Sequence, residues 1–267
     1  MATVDFSLAK APSGPAAKLA AEHASDHGLK LYGAWFCPFV QRVWITLVEK
    51  KIAHQYVEIN PYHKDPAFLA MNPRGLVPTL AVPEKDKPLF ESIIVCEYLN
   101  DAFPDSGPSL LPTDPYQKAR AKVWIDHVGS RIAPAFYKLM QHTPDKSYSL
   151  DDARADLRRH IEAFVEQMHP QGPWFLGDGF SLVDISLAPW ARRMWLADEF
   201  KAGGLGLPTE GKVWERWAVW KKAVDERESV KVTSSSDESY LASYKRYADD
   251  TTKSEVSEAT RRGERLP

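Results

Sequence analysis

The chain has 267 residues, of which 44% are hydrophobic and 26% are charged, close to globular averages, which excludes a chain that is disordered throughout. The formal net charge is −2, so the chain has no excess of basic residues. A nucleic-acid partner or an anionic membrane surface is therefore not predicted. Two cysteines are too few for a disulfide scaffold or a zinc site of four thiolates, and no metal is expected.

The N-terminal residues 1–28 are predicted to be an extension without a targeting function. They are rich in Ala, Pro and Ser, lack Arg, and contain no apolar core of the signal-peptide type. The longest apolar runs of the chain fall far short of the ~18 residues that a membrane-spanning helix needs. Isolated thiols are typical of a reducing compartment. Together these features predict a cytoplasmic protein that is not inserted in a membrane.

A strand–helix–strand unit opens the first predicted domain, residues 29–102. Residues 29–33 and 54–59 have the short apolar pattern of strands. Between them, apolar side chains recur three and four positions apart, which predicts a helix that ends near Lys51. A unit of about thirty residues favours parallel pairing through a right-handed crossover. A short helix, two antiparallel strands and a last helix follow, so the predicted order is βαβαββα.

The remainder of the chain is predicted to be helical. Residues 103–115 contain four prolines, which indicates a linker. Apolar side chains at helical spacing then predict an all-helical domain over residues 116–232, in which Ser181 and Asp184 have the spacing of a capping box. Residues 233–267 are polar and are expected to form a C-terminal extension that is partly mobile. Tyr240, Tyr244 and Tyr247 are spaced i, i+4 and i+7, which predicts a docked short helix, and the last fifteen or so residues are expected to be mobile.

Cys37 lies between the first strand and the first helix, and we interpret it as a reactive thiol. Pro38 follows in the first helical position, so the sulfur would face free backbone amides at the positive end of the helix dipole. That environment lowers the pKa of a thiol below its usual value of about 8.5. The position three residues on is Val40, so this is not a Cys-x-x-Cys dithiol, and an external thiol must release Cys37 from the disulfide that it forms. Cys96, on an apolar helix face, is interpreted as a core residue.

Further residues predict that a peptide ligand binds beside this thiol. Pro78 enters a strand and is a candidate for a cis bond that exposes the backbone of Val77 to an extended peptide. Glu91 and Ser92 begin a helix, where the carboxylate can pair with an amine and the hydroxyl can hold a carboxylate. Lys64 can attract a second carboxylate. Each feature also has an explanation without a ligand. Pro78 can be a proline of an edge strand, and Glu91 with Ser92 can be an ordinary acidic helix start. Taken together, they fit a short peptide with an amine, two carboxylates and a thiol, as in glutathione.

Residues 29–232 resemble the cytosolic glutathione transferases, and the fungal omega-like branch of the omega class in particular. The motifs that carry the resemblance are Cys37-Pro38-Phe39-Val40-Gln41-Arg42, Asn72-Pro73-Arg74-Gly75-Leu76-Val77-Pro78 and Glu91-Ser92-Ile93. The resemblance implies the glutathione transferase fold, with an α/β thioredoxin-like N-terminal domain and an all-α C-terminal domain. It also implies a homodimer.

The resemblance implies roles by position. Cys37 would carry a mixed disulfide with glutathione, Val77 would pair with the cysteinyl backbone and Lys64 would face the glycyl carboxylate. The residues that would bind glutathione are Phe39, Lys64, Val77, Pro78, Glu91 and Ser92. The acceptor pocket would be formed by Trp190, Arg193, Tyr240 and Tyr244.

The resemblance also implies an activity. A cysteine in this position tends to form a disulfide with glutathione, so omega-like enzymes favour thiol transfer and reduction over conjugation. The expected protein is a glutathione-dependent thiol transferase with a role in detoxification, acting on glutathionylated proteins, small disulfides, dehydroascorbate or glutathione thioether adducts. Two alternatives stay open. One is conjugation of electrophiles, and the other is a non-catalytic carrier of aromatic ligands or a module of the soluble chloride-channel-like type.

Overall fold

The computed structural model describes residues 10–267, which fall into two compact units. The first unit consists of the described part of Met1–Leu110 together with Arg227–Tyr240. The second consists of Leu111–Glu226 together with Leu241–Pro267. Arg227–Tyr240 thus departs from the sequence-based division, which assigned this stretch to the helical domain and the C-terminal extension. Within residues 10–267, no helix combines the length and the apolar character needed to cross a membrane.

The helices and strands are numbered in chain order. Residues up to 110 contain α1 (Gly14–Glu22), β1 (Lys30–Gly33), α2 (Pro38–Glu49), β2 (Gln55–Glu58), α3 (Pro66–Met71), β3 (Thr79–Ala81), β4 (Leu89–Phe90) and α4 (Ser92–Ala102). The rest of the chain contains α5 (Pro115–His127), a π-helical segment (Val128–Ile132), α6 (Ala133–Met140), α7 (Leu150–Val165), α8 (Leu182–Ala191), α9 (Leu196–Phe200), α10 (Lys212–Glu226), α11 (Glu228–Val232), α12 (Asp237–Ala248) and α13 (Glu255–Arg262).

The four strands form one mixed sheet in the order β2-β1-β3-β4. β1 pairs in parallel with β2, with Lys30 opposite Gln55, and antiparallel with β3, with Lys30 opposite Ala81. β4 pairs antiparallel with β3. Leu31 of β1 and Leu80 of β3 have no exposed surface and belong to the core of this unit. The parallel pair followed by the antiparallel pair confirms the predicted βαβαββα order and the thioredoxin-like topology.

α2 is buried on nearly all sides, whereas the sequence pattern predicted one apolar face. Val43 on that face is fully buried, but the polar side chains of Gln41 and Glu49 are buried as well. Gln41 Nε2 donates a hydrogen bond to Thr233 Oγ1 at 3.2 Å. Arg227 donates to both carboxylate oxygens of Glu49, at 2.8 and 2.6 Å. Buried polar groups require partners, and the chain after residue 226 supplies them to α2.

The predicted N-terminal extension contains α1, which packs against α11 in the first unit. The Ala16 N–H donates to the Ser234 carbonyl at 3.1 Å, and the Tyr56 N–H of β2 donates to the His23 carbonyl at 2.8 Å. Residues 13–24 are therefore tied to the first unit at both ends. The part of the extension before residue 10 lies outside the described residues.

The polar end of the chain forms α12, at the three tyrosines whose spacing predicts a docked helix, and α13, in the last stretch, which its composition predicts to be mobile. Asp250 accepts hydrogen bonds from Gln141 Nε2 at 2.9 Å and from Arg261 Nε at 3.0 Å. Ser257 of α13 is fully buried, and its hydroxyl donates to the Thr252 carbonyl at 2.8 Å. Polar residues can form a docked helix when each charge finds a partner, and composition alone does not reveal those partners.

The capping box predicted at Ser181 is present at the start of α8. The N–H and the hydroxyl of Ser181 both donate to Asp184 Oδ2, at 2.9 and 2.7 Å. Asp184 Oδ1 accepts from the Phe175 N–H and from Trp220 Nε1, each at 2.8 Å. This buried carboxylate therefore joins the start of α8 to α10 and to the loop that contains Phe175, before α8.

Candidate functional site

Cys37 occupies the N-cap position of α2 and is half-buried. Its N–H donates to the Ala34 carbonyl at 2.9 Å, which closes the turn between β1 and α2. Its carbonyl accepts the first helical hydrogen bond from the Gln41 N–H at 3.1 Å, and Pro38 is the first helical residue. The sulfur is thus held at the amino end of a 12-residue helix, where the helix dipole favours a thiolate.

The backbone of Val77 lies beside this sulfur. The Val77–Pro78 peptide bond is cis, as predicted from the sequence. Cys37 Sγ is 3.9 Å from the Val77 carbonyl oxygen, within the range of a weak thiol hydrogen bond. Val77 is half-buried and Pro78 is buried. The structure therefore brings together the predicted thiol and the predicted peptide-binding backbone.

The loop that carries Val77 is organised by Asn72, which is buried. The Asn72 side-chain amide donates to the Leu76 carbonyl at 3.2 Å and to Thr79 Oγ1 at 2.8 Å. The Thr79 hydroxyl in turn donates to the same Leu76 carbonyl at 2.8 Å. Because residues 72–78 are used in this loop, β3 begins only at Thr79.

Lys64 lies against the same loop. Gly75 has a φ of +61°, and a Cβ placed on it would lie 2.8 Å from Lys64 Nζ. Only a residue without a side chain combines that backbone conformation with so close an approach. The ammonium group of Lys64 is therefore adjacent to the loop that presents Val77, in the region where the sequence analysis expects a carboxylate.

Glu91 precedes α4 and has a positive φ of 68°, which is uncommon for a residue with a side chain. Glu91 Oε1 accepts a hydrogen bond from Arg74 NH1 at 2.7 Å. The Arg74 guanidinium also lies over the Phe90 ring, with its Cζ 5.4 Å from the ring centroid. Both members of the ion pair are almost half exposed, at 48% for Arg74 and 42% for Glu91, so a ligand can reach them. The carboxylate predicted to bind an amine already has an arginine partner.

Ser92 is the first residue of α4, and its side chain is buried. Arg42 NH1 donates to Ser92 Oγ at 3.2 Å. The Arg42 Cζ atom also lies 5.4 Å from the centroid of the Phe39 ring. Arg42, from the second turn of α2, therefore contacts two residues that the sequence analysis assigned to glutathione.

Glu58, the last residue of β2, lies next to the turn that carries Cys37. Glu58 Oε1 accepts from the Trp35 N–H at 3.1 Å, and Oε2 accepts from the Tyr56 hydroxyl at 2.7 Å. Burial raises the pKa of this carboxyl to about 7, and the two hydrogen bonds oppose that rise only in part. The carboxyl group is therefore placed to titrate near neutral pH.

Cys96 has no exposed surface, in agreement with its interpretation as a core residue. Burial raises the pKa of its thiol to about 12. It therefore remains a neutral thiol at physiological pH, and Cys37 is left as the cysteine able to react.

The four residues assigned to an acceptor pocket are divided between the two units. Tyr240 belongs to the first unit, is fully buried, and has its ring centroid 5.9 Å from that of Trp35. Trp190, Arg193 and Tyr244 belong to the second unit and are buried. Arg193 NH1 donates to the Pro189 carbonyl one helical turn earlier, at 2.6 Å. Their assignment to an acceptor pocket stays a prediction.

Three residues of this region were given no role by the sequence analysis, namely Arg42, Glu58 and Arg74. Arg42 and Arg74 stand inside the quoted motifs, but nothing local marks their partners. A usable signal existed for Glu58, because side chains at the carboxyl ends of adjacent parallel strands meet at one edge of the sheet. Glu58 ends β2 directly opposite Gly33, which ends β1 four residues before the thiol.

Two family profiles match the chain. The profile for the glutathione S-transferase N-terminal domain matches residues 36–102, and the one for the C-terminal domain matches residues 147–220. Among curated relatives, glutathione S-transferase omega-1 of Sus scrofa is 33% identical over 167 residues, which is 62% of this chain and 67% of the relative.

Solved structures show the same relationship. Glutathione transferase Omega 3C from Trametes versicolor is 41% identical, with a TM-score of 0.76 over 86% of this chain and 99% of that one. Rice GST1 in complex with glutathione is 25% identical, with a TM-score of 0.67 over 81% of this chain and 96% of that one.

Proposed function

The chain belongs to the glutathione S-transferase family, among its omega-class members, and from this premise we propose that it is a glutathione-dependent thiol transferase that reacts through Cys37. The observation that carries the proposal is the position of the Cys37 sulfur, half-buried at the start of α2 and 3.9 Å from the Val77 carbonyl. The start of α2 favours a thiolate, and an extended peptide can pair with the backbone of Val77 beside it.

The proposed first step is a thiol–disulfide exchange. The Cys37 thiolate attacks the glutathione sulfur of a glutathionylated substrate, the substrate's S–S bond breaks, and the substrate leaves as a thiolate that takes up a proton. Cys37 is left in a disulfide with glutathione, and the substrate has been reduced. No metal takes part in this step.

A second glutathione completes the cycle. Its thiolate attacks the glutathione sulfur of the mixed disulfide, oxidised glutathione leaves, and the Cys37 thiolate is restored. An external thiol is required because Val40 stands where a dithiol enzyme has its second cysteine, and because Cys96 is buried as a neutral thiol. Small disulfides, dehydroascorbate and glutathione thioether adducts are further proposed substrates.

The residues around the thiol fit the parts of glutathione. Val77 pairs with the cysteinyl backbone, beside Pro78, and Glu91 with Ser92 holds the γ-glutamyl end. The glycyl carboxylate is assigned to Lys64, and Phe39 lines the pocket. The rice relative, whose structure is described as a complex with glutathione, supports this ligand. The acceptor, a small hydrophobic or glutathionylated molecule, is assigned to Trp190, Arg193, Tyr240 and Tyr244.

The family also supports proposals on assembly and place of action. We infer a homodimer that takes part in detoxification in the cytoplasm. Two cysteines that form no disulfide are consistent with a reducing compartment.

Mass spectrometry after incubation with oxidised glutathione tests the proposal. The wild-type chain and Cys96→Ser should each gain one glutathionyl group, located on the peptide that contains Cys37. Cys37→Ser should gain none. An adduct on Cys96, or none on the wild-type chain, contradicts the proposal.

Turnover separates the proposed function from its alternatives. With β-hydroxyethyl disulfide and glutathione, Cys37→Ser should lose activity by more than about a hundredfold, because the attacking atom is removed. If wild type and Cys37→Ser are equally inactive there, a carrier of aromatic ligands is the better description. If Cys37→Ser retains conjugation of an electrophile that the wild type also performs, the chain is a conjugating transferase.

A further inference from the structure

The side chain of Glu58 extends from the sheet edge where β1 and β2 end together. Gly33 is its partner in the parallel register, and the turn from Ala34 to Cys37 begins directly after that glycine. A Cβ on Gly33 would lie 2.5 Å from Val40 Cγ1 and 3.3 Å from Tyr56 Cε2, so β1, β2 and the first turn of α2 meet here in close contact. Glu58 is thus attached to the rigid part of the site and reaches the segment that carries the thiol.

The carboxylate holds that segment by its backbone. Glu58 Oε1 accepts from the N–H of Trp35, two residues before the thiol, at 3.1 Å. Oε2 accepts from the Tyr56 hydroxyl at 2.7 Å, which fixes the orientation of the carboxylate plane. The Trp35 side chain is itself buried, at 3% exposure. The position of the Cys37 sulfur therefore depends on a peptide unit that Glu58 anchors.

The surroundings of the carboxyl contain titratable hydroxyl and thiol groups but no paired cation. Tyr56 lies on the same strand, Cys37 on the turn and Tyr240 on α12, and both Cys37 and Tyr240 interact electrostatically with the Tyr56 hydroxyl. Within residues 10–267, burial and the hydrogen bonds from Tyr56 and Trp35 account for the pKa of Glu58, and no cation contributes to it. The ionised form is therefore stabilised by two neutral donors alone, and burial favours the protonated form.

We propose that ionised Glu58 is a positioning residue for Cys37, which holds the turn before α2 through the Trp35 amide, and that protonation of Glu58 loosens this turn and slows the thiol. The inference rests on the proposed role of Cys37 as the reacting group. An ionised acceptor forms a hydrogen bond roughly twice as strong as a neutral one. A protonated carboxyl also carries an O–H that must itself find an acceptor, where the ionised form met two donors.

The test is the rate of alkylation of Cys37 by iodoacetamide between pH 5.5 and 8.5, followed by mass spectrometry of the peptide. Glu58→Gln keeps the shape and one acceptor oxygen but does not titrate. Glu84→Gln, at an exposed glutamate in the turn before β4, is the matched control. Far-UV circular dichroism establishes that each variant is folded.

The wild type and Glu84→Gln should show two inflections in the pH profile, one from the thiol and one near pH 7 from Glu58. Glu58→Gln should show only the thiol inflection, with a rate at pH 8 lower by about fivefold because a neutral acceptor holds the Trp35 amide less strongly. The alkylation rate of Cys37 is measured without glutathione. This result therefore stands even if turnover assays contradict the proposed thiol transferase activity.

Two outcomes overturn the inference. A Glu58→Gln profile identical to that of the wild type shows that Glu58 does not act on the thiol. A uniform fall in rate at every pH, with both inflections retained, shows that the second inflection belongs to another group and that Glu58 only contributes to packing.

Discussion

Cys37 and Glu58 are placed by neighbouring strand ends, yet they are subject to opposite physical effects. The thiol stands at the positive end of α2, where ionisation is favoured. The carboxyl is removed from water, where ionisation is disfavoured. One consequence is that the folded chain is less stable when Glu58 is ionised than when it is protonated, although the ionised form holds the turn.

The helix start should make Cys37 more acidic than a free thiol. We predict that its alkylation by iodoacetamide at pH 7 is faster than that of a small thiol with a pKa of about 8.5, because a larger fraction is thiolate. The apparent pKa of the rate profile measures this. A value above about 8.5 contradicts the helix-dipole argument.

The raised pKa of Glu58 predicts a dependence of stability on pH. Between the ordinary value of 4.5 and the folded value of about 7, the folded chain binds more protons than the unfolded chain. The contribution of Glu58 to stability is therefore full below pH 4.5 and is lost as the pH rises through 7. In Glu58→Gln this contribution is absent, so its free energy of unfolding relative to wild type should rise from pH 5 to pH 8. Urea titrations at both values measure the difference, and no change between them contradicts the assignment.

At the scale of elements, buried polar groups decide how helices are joined. α2 has an apolar face, but its polar side chains are buried too because α11 and the turn after it cover them. α8 begins at a buried carboxylate that accepts four hydrogen bonds. In both cases the apolar pattern identifies the helix, and hydrogen bonds between distant segments determine its surroundings.

Replacing Asp184 with alanine should strongly destabilise the second unit. The change leaves the N–H groups of Phe175 and Ser181 and the Trp220 indole without their acceptor in a buried site. Each such loss costs ~1–3 kcal/mol, and removing the cost of burying the carboxylate offsets part of their sum, so we expect a net loss of about 3–5 kcal/mol. Urea unfolding measures the loss, and the exposed Asp178→Ala should change stability by less than about 0.5 kcal/mol. Equal effects of the two substitutions would sink this account of α8.

At the scale of the whole molecule, the first unit is not one continuous stretch of chain. Arg227–Tyr240 belongs to it, although more than a hundred residues of the second unit intervene in the sequence. This return segment supplies the partners of Gln41 and Glu49 and the contact between Trp35 and Tyr240. The thioredoxin-like order of elements is therefore complete by residue 102, whereas the packing of the unit is not.

A fragment of residues 1–110 should fail to unfold cooperatively. Without the return segment, the buried carboxylate of Glu49 loses Arg227 and becomes an unpaired charge on an exposed face of α2. Thermal unfolding followed by near-UV circular dichroism compares the fragment with the full chain. A sharp transition in the fragment, at the temperature of the full chain, would show that the return segment is dispensable.

The sequence by itself determined the βαβαββα order of residues 29–102, the thiol at the start of α2, the cis bond before Pro78 and the capping box at Ser181. These features depend on signals within a few residues of each other. Hydrophobic periodicity predicts the buried face of a helix or strand. A proline or a capping hydroxyl predicts the local backbone conformation, such as a helix start.

Only the tertiary structure decided which polar groups meet. Arg74 and Glu91 are 17 positions apart, Trp35 and Glu58 are 23 apart, and Gln41 and Thr233 are 192 apart. It also decided that residues 13–24 and α13 are packed, where composition predicted an N-terminal extension and a mobile last stretch. Composition predicts how much apolar surface a segment can bury. A polar segment is instead packed through individual hydrogen-bond donors and acceptors, which composition does not predict. Their pairing is set by the folding of the rest of the chain.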